Sequence, residues 1–482
     1  MGSLKTPFLG GAYLARSENL ACQRLINMYA EQAVEGGEDV GAFFQCPGLE
    51  LFTTLGGGPI RGVWEVFGVG YVVSGNTLYS VTKYGVAVSR GTLATSIGPV
   101  SIADNGSQVV IVDDPNMYVY NISTTAFQQV NDPDFPGAVT IVFLDGYFLF
   151  NEPDSGRFWW TSLYEGSDID ALDFATAEGS PDNILSILID HREIWLFGDK
   201  TTEVWYNTGD ADNPFQRIQG AFIEHGIVGP YACGKIDNTV FWVGKDINGQ
   251  GITWRANGYT PQRVSTHAIE TALNGYQTLA DCVVFTYQQE GHAFVQMTFP
   301  QGDATWVFDI STNLWHERAY MAPTTGDLGR HRASCHMFLD QNHYVGDYQN
   351  GNLYRWDLNV YSDNGDAIKW LRAWRALPTG KNNLKRTTQH NLQIYCEAGV
   401  GLVDGQGDDP QMILEWSDDG GHTWSNQHSA SMGRMGETGT RVIWRLLGST
   451  EKLRDRVYRV SVTDPVKVAM IGALLEVSPN WS

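Results

Sequence analysis

IVFLDGYFLFNEPDSGRFWWT, residues 141–161, reads as a strand, a two-residue turn, a second strand, a polar turn and a tryptophan-bearing third strand. Asp145-Gly146 is a strong hairpin signal, because a type I′ turn needs two positive φ values, which Asp and Gly reach at low cost. Trp159 belongs to a pattern that recurs along the chain. An aromatic flanked by apolar or small residues follows a polar or Gly-containing turn in LYSV (Tyr79), MYVY (Tyr118), FWWT (Trp159), VWYN (Trp205), TWRA (Trp254), TWVF (Trp306) and LYRW (Tyr354). The successive spacings are 39, 41, 46, 49, 52 and 48 residues.

Hairpins precede several of these aromatics: LIDHREIWLF around His191, GKIDNTVFWV around Asp237-Asn238, and FTYQQEGHAFVQMTF around Glu290-Gly291. Each repeat therefore reads as two successive hairpins, a four-stranded antiparallel sheet. Such a sheet leaves two apolar faces wet when alone, and radial stacking buries both. A four-stranded unit of about 40–50 residues is the signature of propeller blades. The expectation is an all-β chain with a β-propeller of about seven blades over 58–364; a β-sandwich with coincidental aromatic spacing is the alternative.

Outside the repeats, residues 1–57 are expected to be an extended or helical segment docking on the C-terminal domain or on a neighbour. Within it, SENLACQRLINMYAE (Ser17 to Glu31) is the best helical pattern, and it is equally compatible with an extended course. The polar linker Ser362 to Asp366 and the segment Lys369 to Arg386 mark the second boundary. Alternation resumes in LQIYCEAGV, MILEWS, HTWSNQ, RVIWRLL, RVYRVSVTD and VAMIGALLEV, which predict a small β-sandwich-like assembly domain over 365–482. Residues 399–410, rich in Gly and Asp, are expected to form a hairpin tip.

The 482 residues are 43% hydrophobic and 12% aromatic, with 16 Trp and 21 Tyr, ample for packed cores and unlike a disordered chain. No stretch approaches the roughly 20 apolar residues of a membrane helix, and the start lacks the build of a signal peptide. The expectation is synthesis in a cytoplasm with no membrane partner. Cysteines 22, 46, 233, 282, 335 and 396 contain no Cys-x-x-Cys pair, so neither a zinc ribbon nor a redox motif is signalled.

The net charge of −22 is uneven. Residues 365–482 carry 14 Lys/Arg against 13 Asp/Glu, which leaves a net of −23 on residues 1–364. Affinity for DNA comes chiefly from cations that neutralise phosphates, so a conventional DNA-binding protein is disfavoured. The last quarter is electrostatically different. Its arginines, Arg441, Arg445, Arg454, Arg456 and Arg459, are candidate subunit contacts, because the planar guanidinium makes bidentate pairs.

The sharpest motif is Ser417-Asp418-Asp419-Gly420-Gly421-His422-Thr423-Trp424, which fits the Ser-x-Asp-x-Gly-x-Thr-Trp Asp-box of sialidases and other propeller proteins. Its role is a turn: Ser417 and Asp419 satisfy amides, Gly421 takes positive φ, Thr423 closes the turn and Trp424 packs beneath. His331, Cys335, His336 and His343 are the one group resembling metal ligands, with His336 and His343 placed to meet across a hairpin, but their spacing matches no zinc pattern. Asp113-Asp114, Asp132-Pro133-Asp134, Asp210 and Asp212 read as turn residues, with calcium binding at a loop as the alternative. No Walker loop, Gly-x-Ser-x-Gly elbow or His-Glu-x-x-His occurs. No catalytic, metal or cofactor-binding residue is assigned, and no cofactor is expected.

The N-terminal residues Gly11-Ala12-Tyr13, Gln23-Arg24, Asn27-Met28-Tyr29-Ala30-Glu31 and Pro47-Gly48-Leu49 resemble the opening of a family of short-tailed bacteriophage (podovirus) proteins. These are the packaged-DNA stabilisation, or tail hub (nozzle), proteins. The ending from Arg456 to Val477 looks like that family's terminal sandwich strands. The resemblance implies a virion tail protein, structural and not enzymatic, that forms a homo-oligomeric ring, a hexamer. It implies as partners the head-to-tail adaptor ring, a tailspike or tail fibre, and a tail needle or plug, with DNA only as cargo in the channel. The alternatives are a glycan- or protein-recognition propeller and a sialidase-like enzyme, which would need three arginines gripping a carboxylate.

Overall fold

The computed structural model describes residues 2–17, 20–32, 40–177, 179–210, 213–246, 248–377, 385–450 and 456–480. Its strands form seven four-stranded antiparallel blades. The first six follow chain order, from Ile60–Val66 in the first blade to Leu314–Glu317 in the sixth. The first strands of successive blades pack side by side, and that of the seventh, Ala333–Leu339, returns to Ile60–Val66, closing the ring. Hydroxyls pin the inner strands together. Ser101 Oγ donates to Ile141 O (3.2 Å), Ser186 Oγ to Pro230 O (2.7 Å), Thr286 Oγ1 to Lys235 O (2.8 Å) and Ser334 Oγ to Ile60 O (3.1 Å).

The repeat read from the sequence is the third strand of every blade. Tyr79, Tyr118, Trp159, Trp205, Trp254, Trp306 and Tyr354 each occupy that strand. All but Tyr79, which is half-buried, are buried. A large ring at one depth in each blade fills the wedge between diverging sheets. The turns also repeat. In six blades the first two strands are joined by two residues that both have positive φ: Phe67-Gly68, Asp145-Gly146, His191-Arg192, Asp237-Asn238, Glu290-Gly291 and Asp340-Gln341.

The fourth strand of the seventh blade comes from the other end of the propeller sequence. Gly48–Thr54 pairs antiparallel with Asn352–Asp357, with Leu49 opposite Trp356 and Leu51 opposite Tyr354. Part of the segment 1–57 thus lies within the propeller. Such a pairing spans some 300 residues, and its closure entropy is returned only once the ring is complete.

The sandwich is built from both chain termini. One sheet runs Met28–Gln32, Gly41–Gln45, Ala469–Pro479, Thr387–Cys396, Val442–Arg445, with Gly2–Lys5 also paired to Ala469–Pro479. The other runs Cys22–Ile26, Trp370–Arg375, Val457–Val462, Gln411–Ser417, His428–Ser431. It joins the sixth blade through a parallel bridge between Ile26 and Glu317. Ser17 to Glu31 is therefore not helical where described: Cys22–Ile26 and Met28–Gln32 are strands in different sheets, and Asn27, at φ 55°, is the corner between them. Asparagine tolerates the left-handed region better than most residues with a Cβ. HTWSNQ is not a strand either; the strand follows it at His428–Ser431. Trp370–Arg375, within the stretch read as a boundary, is a central strand of its sheet. One hydrophobic core runs from blades four to six into the sandwich, through Trp242, Phe308, Trp315, Trp374, Tyr458 and Leu475 among others.

Candidate functional site: the propeller axis and the propeller–sandwich joint

All seven first strands line a pocket on the propeller axis of about 480 Å³. Its walls are largely apolar, and its charged groups are already engaged. Arg61 donates to Gly75 O (3.0 Å), Thr95 O (2.9 Å) and Gly98 O (2.6 Å), and Lys235 Nζ donates to Ile189 O (2.9 Å). Asp104 accepts from Trp64 Nε1 at 2.7 Å. Arg61 is the single arginine lining this pocket among the described residues, so the three-arginine grip of a sialidase is not assembled there.

The joint holds most of the residues that carry the family resemblance. Asn27 Nδ2 donates to Ala319 O (2.8 Å) and Lys369 O (3.1 Å), while its Oδ1 accepts from Ala319 N (2.9 Å). One side chain thereby ties the sixth blade's exit to the sandwich's entry. Arg24 makes a bidentate pair with Glu317, at 3.0 and 2.6 Å. Pro47 O accepts from Arg318 Nη2 (3.0 Å) and Trp356 Nε1 (2.9 Å). Ala12 N donates to Trp315 O at 2.7 Å, with Gly11 pressed against the same peptide. Arg372, fully buried, donates to Phe8 O (2.8 Å) and Gly11 O (3.3 Å). The motif is a set of anchors between the two parts, and no reactive group emerges from it.

Asp363 sits in this joint, in a short strand paired parallel to Leu49 and only 2% exposed. Burial pushes its carboxyl up to about 7, against the pull of Arg318 and Arg332. The native state therefore holds this proton more tightly than the unfolded chain does. The stability it contributes is full below about pH 4 and is lost as pH rises toward 7. Asp363→Asn is expected to be more stable than the parent at pH 8 by roughly 2–4 kcal/mol, the advantage opening between pH 4 and 7. Denaturant titrations at pH 4, 6 and 8 check this, and a pH-independent difference contradicts it.

The Asp-box is an intact turn. Ser417 Oγ donates to Asp419 Oδ1 (2.6 Å) and accepts from Gly421 N (2.8 Å), and Thr423 N and Oγ1 donate to the Asp419 carboxylate (2.9 and 2.6 Å). These donors hold the Asp419 carboxyl well below the usual range. Gly421 is at φ 115°, and the Arg459 guanidinium lies over the Trp424 ring, 4.0 Å from its centroid. Asp419→Ala is expected to cost about 1 kcal/mol at pH 7. The gap should shrink in acid, because a depressed carboxyl loses its contribution as pH falls through its folded pKa. Urea melts at pH 7 and pH 3 measure both.

Two of the arginines read as subunit contacts are committed inside the chain. Arg456, with a side chain 2% exposed, grips Asp418 at 2.7 Å through both Nε and Nη2 and donates to Leu447 O. Arg459 pairs with Glu415 at 2.9 Å. A guanidinium is left buried only where carboxylates and carbonyls replace its water, and here the Asp-box and its neighbouring strand do so. Arg441, which donates to Gln393 Oε1, and Arg445 are exposed. Arg454 lies outside the described residues, as does Asp212.

His336 Nε2 and His343 Nδ1 do meet across their hairpin, at 2.9 Å, and burial lowers both, His336 to about 3. His331 instead contacts Arg318 (3.1 Å), and among the described residues no three His, Cys, Asp or Glu side chains converge as a metal site.

A family model described as bacteriophage P22 Gp10, beta-propeller, matches residues 4–361, and a second, bacteriophage P22 Gp10, beta-sandwich, matches residues 369–478. No curated protein matches the chain. Among solved structures it is similar to the extracellular domain of the hybrid two-component system BT4673 from B. thetaiotaomicron. That similarity has 11% identity and a TM-score of 0.44, and covers 74% of this chain and 45% of that one, less than half its length. It is also similar to the N-terminal domain of Nup159 (10% identity, TM-score 0.43, 70% and 99% covered) and to the Neurospora crassa Pan2 WD40 domain (9%, 0.43, 65% and 96%). The first model covers the propeller together with the N-terminal strands that pair into the sandwich, the second covers the rest of the sandwich, and the chain belongs to the bacteriophage P22 Gp10 family, the structural, non-enzymatic tail hub and DNA-stabilisation proteins of short-tailed phages.

Proposed function

We propose that this chain, made in the host cytoplasm, assembles below the head-to-tail adaptor ring as a homo-oligomeric ring of six copies. The ring continues the DNA channel, carries tailspikes or fibres and a needle or plug, and retains packaged DNA until ejection. The observation that carries the reading is the size of the axial pocket. A duplex whose major groove alone is about 12 Å wide does not fit a pocket of about 480 Å³, so in this reading the DNA path runs between copies. The net of −23 on residues 1–364 supports a lumen along which DNA slides, since each phosphate contact would hold it back. Arg441 and Arg445, exposed on the sandwich, are the remaining described arginines offered for subunit contacts.

Native mass measurement and negative-stain microscopy, with and without the cognate adaptor, test the assembly. A ring at a fixed multiple of 53.4 kDa is expected once the adaptor is present, and a persistent monomer defeats the proposal. Tight binding of duplex DNA to the ring at low salt would defeat the sliding lumen.

A further inference from the structure

The turns joining the first two strands of each blade share one face of the propeller, and one of them is chemically out of place. Its first residue is Asp145, His191, Asp237, Glu290 or Asp340 in five blades, but Phe67 in the first. Phe67 is 82% exposed at φ 50°, a backbone conformation a bulky residue adopts against its preference. Tyr164, in the third blade's loop on the same face, repeats the anomaly at 62% exposure and φ 58°.

The second blade bridges these two aromatics. The Phe67 ring lies over Gly106, and the neighbouring Asn105 Nδ2 donates to Tyr164 O at 3.1 Å. Leu163 and Tyr164 cover Gly146 in the next turn. Phe67 is not needed to close its turn, since polar residues make the equivalent turn in five other blades. A strained backbone that presents an apolar ring to water points to a role outside the chain.

The charge around the patch selects the occupant. Glu65, which accepts from Gly68 N in the Phe67 turn, and Asp168 and Asp170, in the loop that carries Tyr164, are exposed. The cations at its borders are already paired, Lys83 with Asp340 (3.6 Å) and Arg192 with Asp145 (2.7 Å). An acidic rim around aromatics repels DNA and an identical acidic face, and complements a basic one.

The geometry points to the face over blades one to three as the docking surface for a different virion protein, one presenting an apolar segment flanked by Lys or Arg. This inference rests on the tail-hub reading and names a partner surface for it. The test uses particles assembled in vivo with the full-length chain carrying the photocrosslinker p-benzoylphenylalanine at position 67 or 164, with position 238 on the fifth blade as control. Positions 67 and 164 are expected to crosslink to one other tail protein through a segment of net positive charge, and position 238 is not. The double charge reversal Asp168→Lys with Asp170→Lys, checked for an unchanged melting temperature, is expected to cut that crosslink about tenfold.

Crosslinking to a second copy of this chain, to DNA, to an acidic segment, or to nothing overturns the docking surface while leaving the hub reading intact. Particles that lack the chain altogether overturn the hub reading first and the inference with it.

Discussion

Gly48→Ala is expected to destabilise the chain by more than about 4 kcal/mol, enough to deplete soluble folded protein. A Cβ at this position would stand 2.4 Å from Val360 O and 2.7 Å from Ser362 O. Both obstacles are main chain, held by the strand pairings that close the seventh blade and by the Gly48 N to Val360 O hydrogen bond of 3.1 Å. Neither can swing aside as a flexible side chain would, so relief requires the closing strand to leave its register. That opens the ring where its two ends meet. Leu51→Ala, on the same strand with its side chain exposed, should by contrast change stability by about 0.5 kcal/mol or less. Guanidinium unfolding of the two variants, with limited proteolysis near residues 54–60, measures the difference. Equal stability would mean that Gly48–Thr54 does not close the propeller.

Trp374→Ala is expected to cost about 3–5 kcal/mol, the range for removing a large aromatic from a well-packed core. Trp374 is fully buried between the two sheets, edge-on to Phe8 (ring centroids 4.8 Å apart) and 6.0 Å from Tyr458. Its Nε1 donates to Thr6 Oγ1 at 3.0 Å. Two of these partners lie in the N-terminal segment, so the loss should fall there first, and residues 2–14 should become sensitive to protease before the propeller does. Trp374→Phe keeps most of the apolar surface and removes the indole donor, and it should cost about 1–2 kcal/mol. Hydrogen exchange of residues 2–14 in both variants distinguishes a local release from global unfolding.

These two sites differ in how much of them is legible in the sequence. Trp374 lies in WLRAWR, within the stretch read as a boundary, and nothing there points to Thr6 and Phe8, which reach it from the opposite end of the chain. Gly48 stands within Pro47-Gly48-Leu49 as part of a family resemblance, with no hint that two carbonyls crowd it. Asp363 reads like any polar linker residue, and only the parallel pairing with Leu49 turns it into a buried acid. The Asp-box, in contrast, is legible to the atom, because its hydrogen bonds close within a few residues. The patch around Phe67 leaves a faint trace: an aromatic preceding Gly68, where other blades carry Asp, His or Glu. Its neighbour Tyr164, from another blade, leaves none.

Local and periodic features are written in the sequence alone: seven repeats of strand and turn, the third-strand aromatic in each, the two-residue turns, and the division of charge between the first 364 residues and the rest. Period-two alternation and positive-φ turn residues act over a few ångströms, so consecutive letters suffice to specify them. The folded chain is needed to learn which strand closes the ring, that both termini build the sandwich, and that Arg456 and Arg459 serve the chain's own interior. Those outcomes depend on which distant surfaces exclude water together, and burial is a property of the assembled chain that no single segment carries.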